Sequence, residues 1–346
     1  MTDDLTARQT GPGSGKGGVP AAIALSPLFS ARYRPRDLEQ IRQAAPGSRL
    51  VSISAEGLAD GELADVEVLL RGPLARNVFD RLLARCPQLV WVHSASAGVE
   101  RVLTPAARER GLAITNARGV FSEPIAEYVM MMVLAVSRRL AQLLELQRER
   151  TWQPLAATEM TDVTVGIVGL GSIGRRVAEL ARAFGCRVIA TRRSGESEAG
   201  GATAPDGVET LAADRLPELM EQSDFVVLAL PLTPATESLV DAALLARAKP
   251  GSWLINVARG ALVDDRALVR ALREGPLGGA ILDAFREEPL PADSPYYGLP
   301  NVIVTPHTSW SSGRVLDRSI ELFCRNLEHF RRGEPLVNLV DPSAGY

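Results

Sequence analysis

Cysteine and long apolar runs are scarce in this sequence, and each shortage excludes a class of protein. The three cysteines, Cys86, Cys186 and Cys324, are widely spaced and form neither a C-x-x-C pair nor a metal-binding pattern with the three histidines. We therefore expect no bound metal and a reducing compartment, the cytoplasm. The longest apolar run, YVMMMVLAV, is too short to cross a bilayer, which takes about 20 residues, so no membrane partner is expected.

Lysine is scarcer still, so almost all positive charge comes from arginine. Lys16 and Lys249 are the only lysines among 38 basic residues, and the formal net charge is −3. This balance argues against non-specific binding to nucleic acid. The first residues, MTDDLTARQT, lack the apolar core of a signal peptide, which again favours the cytoplasm. A length of 346 residues predicts two domains of ordinary size.

Strands and helices are predicted to alternate along most of the chain. Residues 1–19, with GPGSGKGG at their centre, are rich in glycine and polar residues and are predicted to form a disordered tail. After them, apolar runs such as AAIALS and LVWVHSAS alternate with helical stretches such as RPRDLEQIRQAA. This alternation predicts parallel sheets covered by helices, an α/β fold.

One long helix is predicted over residues 123–150, EPIAEYVMMMVLAVSRRLAQLLELQRER. Pro124 suits its first turn. Its apolar face is too large for a lone surface helix, so we expect it to pack against a neighbour or a second copy of the chain. An amphipathic helix is predicted near the end of the chain, in DRSIELFCRNLEHFRRGEP.

A strand, a glycine turn, a helix and a second strand follow one another in VTVGIVGLGSIGRRVAELARAFGCRVIA. The turn reads Gly169-x-Gly171-x-x-Gly174, and the flanking elements turn a weak motif into a strong one. Gly169 would allow the tight turn, Gly171 a close approach to pyrophosphate, and Gly174 close packing of helix on strand. The amides of Ser172 and Ile173 would then face the phosphates. The pattern predicts a dinucleotide-binding unit; the alternative is a glycine turn that binds nothing.

The stretch ATRRSG closes the second strand, where an acidic residue usually binds the ribose 2′-hydroxyl of NAD. Arg192 stands at that position, and a guanidinium suits a 2′-phosphate instead. Arg193 and Ser194 would add donors. NADP is therefore favoured, with NAD as a possible cofactor. The alternative is that these are solvated surface residues of an arginine-rich chain.

Four further stretches complete a recognisable pattern: SAGVE (96–100), INVARGALVDDRAL (255–268), ILDAFREEPLP (281–291) and NVIVTPH (301–307). With the glycine loop, and in this order and spacing, they resemble the D-isomer-specific 2-hydroxyacid dehydrogenase family, in particular its glyoxylate and hydroxypyruvate reductases. The resemblance implies a homodimer with two parallel-sheet domains. A Rossmann cofactor domain, 121–307, would be inserted into a flavodoxin-like substrate domain, 20–120 plus 308–346.

Reduction of a 2-oxo acid requires a cation, a proton donor and a hydride held at one face. Arg259 follows the apolar strand SWLINVA and would bind the carboxylate or the developing alkoxide. His307 would donate the proton, and Glu288 would pair with it and keep it protonated. Each has a plainer alternative: a surface arginine, a loop histidine, or a glutamate solvated like Glu287.

The resemblance implies further site residues. Asp283 would contact the nicotinamide end of the cofactor. The backbone of the SAGVE loop would hold the substrate carboxylate. The remaining expected contacts are Ala97, Gly98 and Val99 for the substrate, and Leu230, Pro231, Val257 and Ala258 for the cofactor. Trp310 departs from the family pattern after the histidine, and would form either an aromatic wall near the substrate or packing at the domain junction. His93 and His329 suit structural roles, although His93 could line the pocket.

The predicted reaction is reduction of a small 2-oxo acid, such as glyoxylate or hydroxypyruvate, to a D-2-hydroxy acid by NADPH. Domain closure would bring the SAGVE loop onto the substrate. Formate dehydrogenase is one alternative on this scaffold, disfavoured because that group typically carries glutamine where Glu288 stands. A nucleotide-sensing, corepressor-like binding protein is the other, because such proteins keep the same three residues.

Overall fold

The computed structural model describes residues 17–29, 33–192 and 204–341. Arg193, Ser194 and most of the predicted tail, residues 1–16, lie outside the described residues. The chain divides into two compact units, residues 1–120 with 313–346, and residues 121–312. No helix in the described part is both long and apolar enough to cross a membrane.

The strands of the described ranges are all parallel to their neighbours. In chain order they are β1 (Ala22–Leu25), β2 (Arg49–Ser52), β3 (Val66–Arg71), β4 (Trp91–Ser94), β5 (Ala113–Thr115), β6 (Thr164–Val168), β7 (Arg187–Arg192), β8 (Val208–Ala212), β9 (Phe225–Leu228), β10 (Trp253–Asn256), β11 (Gly279–Leu282) and β12 (Val302–Val304).

The α-helices alternate with these strands. They are α1 (Pro35–Ala44), α2 (Arg76–Arg85), α3 (Pro105–Glu109), α4 (Ser122–Ser137), α5 (Leu140–Arg148), α6 (Ser172–Ala183), α7 (Leu216–Gln222), α8 (Ala242–Leu245), α9 (Asp265–Glu274) and α10 (Val315–Arg332).

The first unit is built on a five-stranded sheet of order β2-β1-β3-β4-β5. This is the flavodoxin-like order. Strands β1 and β4 are buried along their whole length, as expected where helices cover both faces of a parallel sheet. On one face the ring centroid of Trp91 lies 5.5 Å from that of Phe323 and 5.6 Å from that of Phe330. Helix α10 therefore packs back onto this sheet and completes its core.

The second unit has a seven-stranded sheet of order β12-β11-β10-β9-β6-β7-β8. The chain starts at β6, runs outward through β7 and β8, then crosses back to β9 and continues to β12. This is the Rossmann order with one extra strand, and its switch point lies between β6 and β9. The predicted α/β class with two parallel sheets is therefore confirmed. Ligands of such sheets bind beyond the carboxyl ends of the strands at that switch point.

The single helix predicted over 123–150 is wrong, because the structure breaks it into α4 and α5. Arg139 adopts φ +56°, in the left-handed region, and a right-handed helix cannot pass through such a residue. The two pieces differ in burial. Helix α4 is largely buried and is tied to α6 by an ion pair between Glu123 and Arg176 of 2.7 Å. Helix α5 buries no residue at all.

Candidate active site

The glycine turn after β6 has the geometry that the motif predicts. Gly169 has φ +99°, and a Cβ on it would lie 2.8 Å from the carbonyl oxygen of Ala229. A Cβ on Gly174 would lie 2.1 Å from the carbonyl oxygen of Gly169, so only glycine lets α6 pack this closely on β6. Gly171 differs, because a Cβ there would meet open space. The backbone over Gly171 is thus open to a ligand.

The start of α6 provides donors for an anion. Gly171 is the N-cap residue and has no side chain with which to cap the helix. The first amides of a helix, here including those of Ser172 and Ile173, have no partner within the helix and carry its positive end. Arg192 ends the neighbouring strand β7 and is half-buried. These residues fit a dinucleotide whose pyrophosphate lies over Gly171 and whose ribose lies near Arg192.

Arg259 follows β10 in a loop that Asn256 holds at both ends. The Asn256 side chain accepts from the amide of Ala258 at 3.1 Å and donates to the carbonyl of Arg259 at 2.9 Å. The guanidinium also donates to the carbonyl of Ala258 at 2.8 Å. The sequence reading missed Asn256, although an asparagine at a strand end is a typical turn-forming residue.

The side chains of His307 and Glu288 lie within hydrogen-bond distance of each other. Nδ1 of His307 lies 2.8 Å and 3.0 Å from the two carboxylate oxygens of Glu288. Oε1 of Glu288 also accepts from the amide of Phe285 at 2.9 Å, which fixes the carboxylate. Both side chains are just over one third exposed, 38% and 36%. With Nδ1 on the carboxylate, Nε2 has no partner in the described part of the chain and is the nitrogen from which a ligand could receive a proton.

Asp283 follows β11 and is fully buried. Its Oδ1 accepts from the hydroxyl of Thr305 at 2.6 Å and from the amide of Thr308 at 2.8 Å, and its Oδ2 accepts from the amide of Ser309 at 3.0 Å. The structure therefore places this carboxylate against the turn that carries His307, where it accepts hydrogen bonds from backbone amides.

The other expected cofactor contacts occupy the same edge of the second sheet. Leu230 is half-buried and Pro231 is exposed, both just after β9, and Val257 and Ala258 are buried after β10. The carboxyl ends of these strands meet at one edge. That edge carries Gly169, Gly171, Gly174, Arg192, Leu230, Pro231, Val257, Ala258, Arg259, Asp283 and His307.

In the first unit, the SAGVE loop follows β4, and hydrogen bonds hold its first two carbonyls. The carbonyl of Ser96 accepts from the amide of Ala117 at 3.1 Å, and that of Ala97 accepts from the side chain of Asn116 at 2.9 Å. The amides of residues 97–99 have no acceptor among the residues the structure describes. Consecutive unpaired amides form a typical cradle for a carboxylate.

The remaining two histidines have protein partners. His93 is fully buried in the first sheet, where burial lowers its pKa to about 3, and its Nδ1 lies 2.7 Å from the hydroxyl of Thr115. It lies among core residues, and its buried Nε2 has no hydrogen-bond partner in the described part of the chain. His329 in α10 donates to the carbonyl of Pro335 at 2.7 Å.

A Rossmann sheet with a glycine cradle, and with an arginine and a His–Glu pair at the same edge, defines a dinucleotide-dependent oxidoreductase. Residues 130–309 match the family model described as "D-isomer specific 2-hydroxyacid dehydrogenase, NAD binding domain". The chain is also 33% identical over 315 residues to a glyoxylate reductase of Korarchaeum cryptofilum, covering 88% of this chain and 90% of that one. The chain belongs to the D-isomer-specific 2-hydroxyacid dehydrogenase family, as its motifs predicted.

Two solved structures are similar over nearly the whole chain. One is a D-isomer specific 2-hydroxyacid dehydrogenase from Xanthobacter autotrophicus in complex with NADPH and MES, 31% identical, with a TM-score of 0.81 and coverage of 94% of this chain and 100% of that one. The other is an NADPH-dependent glyoxylate/hydroxypyruvate reductase from Sinorhizobium meliloti in complex with NADP and sulfate. It is 30% identical, with a TM-score of 0.79 and the same coverage.

Proposed function

We propose that this protein reduces small 2-oxo acids of the glyoxylate and hydroxypyruvate type to D-2-hydroxy acids with NADPH. The observation that carries the proposal is the 2.8 Å contact between His307 and Glu288 at the carboxyl edge of a Rossmann sheet. Reductases of this substrate class are among its relatives, with glyoxylate reductase as one example.

The chain's own residues supply the acid and the charges. Reduced nicotinamide supplies the hydride when bound. The carboxylate of Glu288 holds Nδ1 of His307, and the ring delivers a proton from Nε2 to the carbonyl oxygen as that oxygen gains charge. Arg259 stabilises the substrate carboxylate or the developing alkoxide. The unpaired amides of residues 97–99 bind the carboxylate from the first unit.

We assign the cofactor to residues 121–312 and the substrate carboxylate to the first unit. NADP is preferred because Arg192 ends β7 where an acidic residue would favour NAD. The similar structures from Xanthobacter and Sinorhizobium contain NADPH and NADP, respectively. Arg193 and Ser194 are proposed to complete the 2′-phosphate site.

We also propose a homodimer in the cytoplasm. Leu140, Leu143 and Leu144 of α5 are 47%, 42% and 44% exposed, and Trp152 after the helix is fully exposed. A second copy would cover these side chains, as the family resemblance implies, and light scattering would give a mass near twice 37.1 kDa. The three cysteines are free, which suits a reducing compartment.

Turnover of a panel of 2-oxo acids with NADPH and NADH tests the function. We expect oxidation of NADPH with glyoxylate or hydroxypyruvate and loss of that activity in His307→Ala. Binding of nucleotide without turnover of any acid would favour the sensor alternative. Formate-dependent reduction of NADP or NAD would favour the formate dehydrogenase alternative.

A further inference from the structure

The turn that carries His307 has an uncommon backbone. His307 has φ +49°, in the left-handed region that residues other than glycine seldom adopt. Its amide donates to the carbonyl of Thr305 at 2.9 Å. A backbone in this conformation persists where surrounding contacts hold it, so the contacts around His307 decide where the imidazole points.

Those contacts hold both sides of the next peptide group. The carbonyl oxygen of His307 accepts from the indole Nε1 of Trp310 at 2.7 Å. The amide of Thr308, in the same peptide, donates to the buried carboxylate of Asp283 at 2.8 Å, and the amide of Ser309 donates to it at 3.0 Å. A peptide group is rigid and planar. Holding its oxygen and its nitrogen therefore fixes the orientation of the whole plane.

The orientation of that plane bears directly on the contact between His307 and Glu288. The peptide before His307 is fixed through Thr305, and the one after it through Trp310 and Asp283. With both neighbouring planes fixed, the direction of the Cα–Cβ bond of His307 is fixed as well. That direction carries Nδ1 to 2.8 Å from Glu288.

We propose that Trp310 is a positioning residue for the proton donor: its indole N–H, with Asp283 on the other side of the peptide, holds His307 on Glu288. The ring of Trp310 is itself held, edge-on to the ring of Phe121 at 6.4 Å between centroids. This role rests on the proposed function of His307. The sequence suggested two other roles for Trp310, a wall near the substrate or packing alone. Both depend on the aromatic ring, whereas the positioning role depends on the indole N–H.

Trp310→Phe tests the proposal by removing the N–H while keeping an aromatic ring against Phe121. Trp253→Phe is the matched control. It makes the same change in the same unit, at a half-buried tryptophan in β10 whose ring lies against Gly279. We expect kcat for reduction to fall about tenfold in Trp310→Phe, the scale of a hydrogen bond whose acceptor loses its partner. KM and the Kd for NADPH should stay within about twofold, because neither site loses a contact.

Two readouts separate positioning from a general loss of structure. The solvent deuterium isotope effect on kcat should rise in Trp310→Phe, because proton donation becomes slower relative to the other steps. The chain has three histidines, so 15N spectra of the rings can be assigned. In the wild type, Nδ1 of His307 should carry the proton shared with Glu288. In Trp310→Phe the ring should populate both tautomers, while His93 and His329 stay unchanged.

A second variant keeps the proposal testable if Trp310→Phe fails to fold. Benzothienylalanine at position 310 keeps the shape of the indole with sulfur in place of N–H, and it should show the same loss of kcat and the same 15N change. If either folded variant matches Trp253→Phe in kcat, isotope effect and 15N spectrum, the proposal is overturned while the reductase function stands. If the wild type turns over no 2-oxo acid, the proposed function fails, and the 15N comparison still decides whether Trp310 positions the ring.

Discussion

His93 and His307 stand at the carboxyl edges of the two sheets, yet their surroundings give them opposite roles. His93 is fully buried between the rings of Trp91 and Phe323 and the hydroxyl of Thr115. His307 lies on a turn with Glu288 on one ring nitrogen and the other nitrogen open. Each ring has one nitrogen bonded to protein, so it is the exposure of the second nitrogen to a ligand that makes His307 the catalytic candidate.

The largest expected effect comes from removing His307. His307→Ala should lower kcat for reduction about 100-fold or more, the usual scale for a general acid. The Kd for NADPH should be unchanged, because the cofactor cradle lies on α6. His329→Ala, which removes a histidine bound to the carbonyl of Pro335, is the control and should keep kcat. A fall of less than about tenfold in His307→Ala would contradict the role assigned to this residue.

His93, the buried histidine, should instead affect the free energy of unfolding. Burial holds the pKa of His93 at about 3 in the folded protein, against 6.5 in the unfolded chain. Between these values the unfolded state binds one proton more than the folded state, so the free energy of unfolding falls as the pH drops below 6.5. At pH 5 the loss from this residue is about 2 kcal/mol, at 1.36 kcal/mol per pH unit.

Guanidine unfolding followed by tryptophan fluorescence at pH 7.5 and pH 5 measures this loss. In His93→Gln the part of the pH dependence due to residue 93 should vanish, because glutamine does not titrate, although its stability at pH 7.5 will be lower. Equal pH dependence in the variant and the wild type would show that His93 is not the group that couples stability to pH.

Two arginines, one buried and one half-buried at a strand end, show a similar contrast. Arg71 is buried, and its guanidinium donates to the carbonyls of Leu74 and Arg101. Arg192 lies half-buried at a strand end. Replacing Arg192 and Arg193 together with serine should weaken NADPH binding at least tenfold, because a hydrogen bond to a charged group contributes about 1.5–3 kcal/mol. Binding of NADH should change less than about twofold. A wild-type preference for NADH would refute the 2′-phosphate site.

The smallest effect expected comes from Glu288→Gln. Glutamine keeps the length of the side chain but replaces the carboxylate that lies on Nδ1 of His307 with a weaker, neutral acceptor. We therefore expect kcat for reduction to fall about fivefold, less than in His307→Ala. Glu287→Gln alters the exposed neighbouring glutamate and should keep kcat. An unchanged kcat in Glu288→Gln would show that this carboxylate does not hold the histidine.

Motifs whose residue types determine the local backbone geometry were predictable from the sequence. The glycine turn needs particular residue types at fixed spacing, so Gly169, Gly171 and Gly174 could be assigned specific geometries in advance. The break at Arg139 could not be predicted, because the helical periodicity continues through it and no glycine or proline marks it. The contacts of Trp310 and Asp283 with the histidine turn also escaped prediction, since they join side chains to backbone across a loop whose path the sequence pattern does not determine.

The return of α10 to the first sheet has a consequence for the order of folding during synthesis. Residues 121–312 are contiguous, so the second unit can form as soon as they leave the ribosome. The first core needs Phe323 and Phe330 against Trp91, so it must wait until these residues have been made. Domains generally fold as units during synthesis. We therefore expect chains truncated after residue 312 and released from the ribosome to resist protease in the second unit and to be cleaved in the first. Equal resistance in both would refute this order.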